Sequence, residues 1–133
     1  MLHYRLEWAL MKILYAEDTP LHVRAMRKIA EMAGCEFISA STGFEALALL
    51  HQQPDLVIVD VGLPDMSGLT LAEQILTVKP DMPILAVSAS VMPQDKADAL
   101  AAGCREFIPK PLGFVEMVVR LEYYKKMQVD GWQ

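Results

Sequence analysis

The chain lacks any apolar run approaching the 18 or so residues that a membrane-spanning helix needs. Its first ten residues, Met1–Leu10, interleave His3, Arg5 and Glu7 with apolar side chains, so they lack the continuous apolar stretch of a secretory leader. Cysteine is scarce. Cys35 and Cys104 stand at no metal-ligand spacing, which gives no zinc motif and no disulfide framework, and a reduced cytoplasmic chain is expected. Positive charge is in deficit: 12 Lys and Arg against 17 Asp and Glu leave a net charge of -5. That balance lacks the basic stripe of a nucleic-acid binder, so neither a nucleic acid nor a membrane is expected as a direct partner. The one basic cluster, Arg120, Lys125 and Lys126, reads as a solvated helix face. What remains is ordinary globular composition, 53% hydrophobic and 22% charged, in 133 residues, enough for one core and too few for two.

Short β-branched apolar runs alternate with longer segments of helical period. Strands are expected at Lys12–Ala16, Cys35–Ser39, Leu56–Asp60, Pro83–Val87 and Arg105–Ile108. Helices are expected at Thr19–Ala33, from Thr42 to about His51, and at Leu69–Val78, Pro93–Ala102 and Leu112–Met127. Pro20 suits a first helical turn, and Thr42 with Glu45 has the spacing of a capping box. Ala33-Gly34-Cys35 and Ala102-Gly103-Cys104 read as one local solution used twice, a helix stopped on a glycine with a strand directly after it. Leu56–Asp60 is continuously apolar up to its last residue, as in a strand covered on both faces. Five successive βα units imply an open, doubly wound α/β domain with a parallel sheet. Such sheets place their ligands beyond the carboxyl ends of the strands.

The residues at those ends are polar: Glu17-Asp18 after the first strand, Asp60 at the end of the third, Ser88 after the fourth and Lys110 after the fifth. One acid after a strand usually makes a turn or caps a helix. Five polar residues on one sheet edge form a site. Three carboxylates brought together repel one another unless a cation or a proton is taken up. Oxygen donors without His or Cys favour Mg²⁺, which commonly joins one or two carboxylates to a phosphate. A lysine and a small hydroxyl opposite would clamp the remaining phosphoryl oxygens, and a carboxylate can itself be the nucleophile.

Glu17-Asp18, Asp60-Val61-Gly62-Leu63-Pro64-Asp65-Met66-Ser67-Gly68, Ser88-Ala89 and Lys110-Pro111 resemble, in order, the signature of response-regulator receiver domains. The resemblance runs from about Lys12 to Met127 and implies the flavodoxin-like fold, a (βα)5 sheet in strand order 2-1-3-4-5. It implies that Asp60 accepts a phosphoryl group from the phosphohistidine of a sensor histidine kinase or phosphotransfer protein. It implies Mg²⁺ held by Asp18 and Asp60, with Glu17 acting through water and the Gly62 carbonyl as a backbone ligand. Ser88 corresponds to the switch hydroxyl, Lys110 to the phosphate-binding lysine and Phe107 to the aromatic that changes rotamer; Pro111 corresponds to a cis peptide. The fourth helix, fifth strand and fifth helix would form the face for a downstream partner or a homodimer. Such a domain is a regulatory phosphoacceptor rather than an enzyme, though it promotes its own phosphotransfer and autodephosphorylation.

Thr19-Pro20, Gly62 and Pro109 depart from the commonest family pattern, and none removes a required group. Phe107 is equally readable as a core aromatic, and Ser88 as a helix cap in competition with Ser90. His3, His22 and His51 lie in three separate segments and read as surface residues, and the nine methionines read as core filler. An FMN-binding flavodoxin fails because Glu17-Asp18 would repel the phosphate. A dehalogenase-type phosphatase fails because its second acid would fall on Gly62. A non-phosphorylated interaction module of the same fold is the alternative. The expected division is 1–10 extension or linker, 11–128 receiver domain and 129–133 tail, either as a stand-alone regulator or as part of a larger protein.

Overall fold

The apolar runs become strands and the periodic segments helices, in strict alternation. The computed structural model describes residues 10–90 and 92–130. The strands are β1 (Lys12–Ala16), β2 (Glu36–Ala40), β3 (Leu56–Asp60), β4 (Ile84–Ser88) and β5 (Glu106–Pro109). The helices are α1 (Pro20–Met32), α2 (Gly43–Ala48, continued by a 3₁₀ turn, Leu49–Gln52), α3 (Gly68–Val78), α4 (Pro93–Ala101) and α5 (Phe114–Asp130). All strand pairs are parallel, in the order β2-β1-β3-β4-β5. The expected sheet order is therefore the observed one. The expected extension lies, apart from Leu10, outside the described residues.

Alternation along the strands builds a core on each face of the sheet. Ile13, Tyr15, Ile58, Leu85 and Val87 pack with Met26 and Ile29 of α1 and with Met117 and Leu121 of α5. Leu14, Val57, Val59, Ile84 and Ala86 face the other way, onto Leu71 and Ile75 of α3 and Ala99 of α4. The central strands β3 and β4 are buried at every position. Each fully buried Leu or Ile contributes about 1.5–3 kcal/mol. The last helix is also tied by polar contacts: Arg120 Nε donates to Glu106 at 2.9 Å, Tyr124 donates to Glu106, and Lys125 Nζ donates to the Ala33 carbonyl at 2.9 Å. Two members of the expected basic face are thus occupied in holding α5 to β5 and to the end of α1. By contrast, α4 buries Ala99 alone.

Three boundaries shift for identifiable reasons. The two glycine-terminated helices do end alike, with Gly34 at φ 71° and Gly103 at φ 98°. Gly34 N donates to Glu31 O and Cys35 N to Ala30 O; Gly103 N donates to Leu100 O and Cys104 N to Ala99 O. This is the paired Schellman pattern. The cysteine amides are spent on the helix, so β2 begins at Glu36 rather than Cys35. Pro83 has no N–H, and β4 begins after it at Ile84. The expected capping box at α2 is half formed. Thr42 Oγ1 accepts from Glu45 N at 3.0 Å, but the Glu45 carboxylate accepts from Ser41 N at 2.6 Å, one residue before the cap. Finally, α5 begins at Phe114 rather than Leu112, after the cis Lys110–Pro111 bond and Gly113. Among the described residues no helix is long and apolar enough to cross a membrane.

Candidate functional site at the carboxyl edge of the sheet

The ends of β1 and β3 are neighbours in the sheet, so their terminal acids converge. Carboxylate oxygens of Glu17, Asp18 and Asp60 all lie within 4.8 Å of one another. Glu17 is 1% exposed and Asp60 8% exposed, whereas Asp18 opens to solvent. The Lys110 ammonium closes the group from β5: Nζ is 2.5 Å from Glu17 Oε1 and 3.6 Å from Asp60 Oδ1. Lys110 is set there by its own backbone, whose N–H donates to the Ser88 carbonyl at 2.8 Å. Ser88 is buried one residue beyond Val87, the β4 partner of Asp60, which puts it on the same edge. Glu17, Asp18, Asp60 and Lys110 therefore come together, with Ser88 on the same edge of the sheet.

Burial pushes the Asp60 carboxyl up, and the Glu17 charge adds to this; Lys110 and a backbone hydrogen bond from Gly62 offset it only in part. Burial acts the same way on Glu17. There the hydrogen bond from Lys110, the Thr19 N–H at 3.2 Å on Oε2 and the Tyr15 hydroxyl at 3.0 Å on Oε1 prevail, lowering it to about 2. Glu17 is thus the ionised member and Asp60 the reluctant one. An all-oxygen cluster with a disfavoured charge fits a hard divalent cation.

Two glycines shape the surroundings of Asp60. A Cβ at Gly68 would stand 2.2 Å from the Asp60 backbone oxygen, so only glycine lets the start of α3 pass under Asp60. A Cβ on Gly62 would meet nothing within 4 Å, and the mouth of the site stays open there. The loop between them reaches sideways: Asp65 accepts from Gly43 N at 2.8 Å and Phe44 N at 3.0 Å, capping α2. Neither serine caps α4. Ser88 Oγ accepts from Ser90 N at 3.1 Å, and Ser90 donates to Asp95, whose carboxylate also accepts from Met92 N at 3.1 Å. Phe107 is half-buried on the α3–α4 side of β5, against the core that contains Ala86 and Ala99.

Sequence reasoning passed over three participants. Tyr15 is buried in β1 and its hydroxyl donates to Glu17; burial first, and then the Glu17 charge, raises the phenol. Asp65 appears only as part of a motif. His22 is on the surface as expected, yet its Nδ1 lies 3.0 Å from Lys110 Nζ and 3.3 Å from Glu17 Oε1. Its place on the first turn of a helix directly after an acidic pair is the only sequence signal that could have pointed to it.

A 2-1-3-4-5 parallel sheet carrying three acids, a hydroxyl and a lysine on its carboxyl edge defines a flavodoxin-like signalling domain. The chain belongs to the response regulator receiver domain family, whose model matches residues 13–122. It is 39% identical over 113 residues to the transcriptional regulatory protein KdpE of Mycobacterium tuberculosis, a match covering 82% of this chain and 48% of KdpE. The chain therefore spans about half the length of that relative. It is 30% identical over 118 residues to the polar-differentiation response regulator DivK of Brucella ovis, covering 84% of this chain and 94% of DivK. Among solved structures, a CheY-like receiver domain protein of Methanospirillum hungatei superposes with a TM-score of 0.84 at 26% identity, covering 92% of this chain and 99% of that one. Vibrio cholerae CheY4 superposes with a TM-score of 0.81 at 25% identity, covering 87% and 99%. Receiver domains are the regulatory phosphoacceptor modules of two-component response regulators.

Proposed function

We propose that Asp60 is the phosphoacceptor of this receiver. The observation that carries the reading is the placement of Asp60 at the end of β3, beside two further acids and 3.6 Å from the Lys110 ammonium. An Asp60 carboxylate oxygen attacks the phosphorus of a phosphohistidine on a sensor kinase or phosphotransfer protein. The P–N bond breaks, the electron pair returns to the imidazole, and an acyl phosphate is left on Asp60. Asp18 and Asp60, with Glu17 through water and the Gly62 carbonyl, would hold Mg²⁺. A bound Mg²⁺ supplies positive charge against the phosphoryl oxygens. Lys110 and Ser88 bind the remaining oxygens, and attack of water on phosphorus later returns the carboxylate and inorganic phosphate.

The signal leaves through Ser88. Its hydroxyl turns to the phosphoryl group, Phe107 moves into the space behind it, and the lightly anchored α4 shifts with β5 and α5. Val115, Val119 and Tyr123 form an exposed stripe on α5, at 71%, 58% and 57%, and support this face as the one for a downstream protein or a second copy. The domain works in the cytoplasm, without direct contact with nucleic acid or membrane.

The test is mass spectrometry after incubation with acetyl phosphate and Mg²⁺. The wild-type chain should gain one acid-labile phosphoryl group and Asp60→Asn none. A mutant phosphorylated at wild-type yield moves the acceptor elsewhere. A wild-type chain that neither gains the group nor responds to Mg²⁺ is a non-phosphorylated interaction module.

A further inference from the structure

We propose that His22 is a positioning residue for Lys110. Its Nδ1 acts as a hydrogen-bond acceptor that holds the ammonium aimed at the phosphoryl site. The inference rests on the reading of Lys110 as the phosphoryl-binding cation and concerns a side chain that reading does not use.

Lysine has three N–H donors and no acceptor, so the 3.0 Å contact between Lys110 Nζ and His22 Nδ1 is a hydrogen bond only if Nδ1 carries its lone pair. The competing arrangement is Nδ1–H donating to Glu17 Oε1 at 3.3 Å. It is the longer contact, and it asks Oε1 for a third bond. The Tyr15 hydroxyl at 3.0 Å and Lys110 at 2.5 Å already occupy that oxygen. It would also set two N–H groups against each other at 3.0 Å. The consistent assignment therefore puts the proton of His22 on Nε2 and leaves Nδ1 to accept.

The consequence is geometric. A lysine stem of four methylenes is free to swing, and an ammonium held by one carboxylate can rotate about it. With Glu17 and His22 each taking one donor, the third is left on the side of Asp60, 3.6 Å away. The two holders come from opposite ends of one turn: Glu17 closes β1, and His22 is the third residue of α1, which Pro20 starts. Placement of the lysine before a phosphodonor arrives is then built into the junction of β1 and α1, at no cost at the moment of transfer.

The test compares His22→Asn, His22→Leu and wild type. Asparagine Oδ1 takes the place of Nδ1 on the same γ carbon, whereas leucine keeps bulk and removes the acceptor. With acetyl phosphate and Mg²⁺, His22→Leu should be phosphorylated about three- to tenfold more slowly, the loss expected for one hydrogen bond, and His22→Asn at close to the wild-type rate. Thermal melts of His22→Asn and wild type should agree, and His22→Leu should melt only slightly lower. The independent readout is the ring-nitrogen NMR spectrum of metal-free, unphosphorylated protein labelled with ¹⁵N-histidine. It should show His22 protonated on Nε2 with a hydrogen-bonded, unprotonated Nδ1, and the Nδ1 signal should move to that of a free ring in Lys110→Met. A His22→Leu rate equal to wild type, an asparagine variant as slow as leucine, or an Nδ1–H tautomer each overturns the proposal. If the wild-type chain takes no phosphoryl group, the phosphoacceptor reading fails by itself, and the spectrum still decides whether His22 holds Lys110.

Discussion

The Lys110 ammonium is bonded to Glu17, 93 residues earlier in the chain, at 2.5 Å. Glu17 is inside the protein, where burial raises its carboxyl, and Lys110 is the largest of the contacts that lower it. Lys110→Met should therefore lower stability at neutral pH by about 3–5 kcal/mol, the cost of leaving a buried charge without its partner. The carboxyl of Glu17 is lowered in the fold, so its stabilising contribution is full above its ordinary value of 4.5 and is lost as pH falls through about 2. Urea melts of wild type and mutant should accordingly converge between those limits. A gap that persists unchanged at pH 2 would count against the pair as its origin.

Asp60 has the opposite sign. Its carboxyl is raised in the fold, so it favours the folded state below its unfolded value of 3.8 and loses that contribution as pH rises through the raised one. Asp60→Asn should thus melt higher than wild type at neutral pH without metal, and the difference should vanish near pH 3. Calorimetry across that range decides it.

Magnesium should relieve the same repulsion. Millimolar Mg²⁺ should raise the melting temperature of wild type, by about 1.4 kcal/mol of stability for each tenfold excess over the dissociation constant. Asp18→Ala should not respond, because Asp18 is the solvent-facing carboxylate of the three. A response surviving in Asp18→Ala would place the ion elsewhere.

The two glycines flanking the loop should behave differently. Gly68→Ala drives a methyl group to 2.2 Å from the Asp60 carbonyl oxygen and should cost about 1–3 kcal/mol while displacing Asp60. Gly62→Ala meets open space and should leave the melt unchanged. Equal melts for the two variants would show that α3 can retreat from β3 freely.

The loop also has a lateral role. Asp65→Ala removes the acceptor of the Gly43 and Phe44 N–H groups, and amide exchange at those two positions should accelerate while β3 stays protected. No change at either amide would mean that solvent substitutes for the carboxylate.

Much of this arrangement was legible because its signals are local. An apolar run ending in Asp60 announces both a strand covered on two faces and a polar group at its tip, and the same holds for Glu17, Ser88 and Lys110. The two Gly-Cys junctions are legible for the same reason, since every Schellman bond lies within six residues. Tyr15, His22 and Asp65 were not, because their partners depend on how elements meet. The Tyr15 hydroxyl finds Glu17 only where the strand ends. Asp65 finds α2 some 22 residues back. His22 reaches Lys110 across 88 residues. Boundary errors of one residue at β2 and β4 came from single amides, one spent on a helix and one absent from a proline.

The separation of Glu17 and Lys110 along the chain also orders the site in time. During synthesis the acids of β1 and β3 leave the ribosome first, and their cation follows only with β5. Until then Glu17 lacks the ammonium that pairs with it, and burying its charge would be costly. Glu17 therefore gains its counter-charge only when the last strand has joined the sheet.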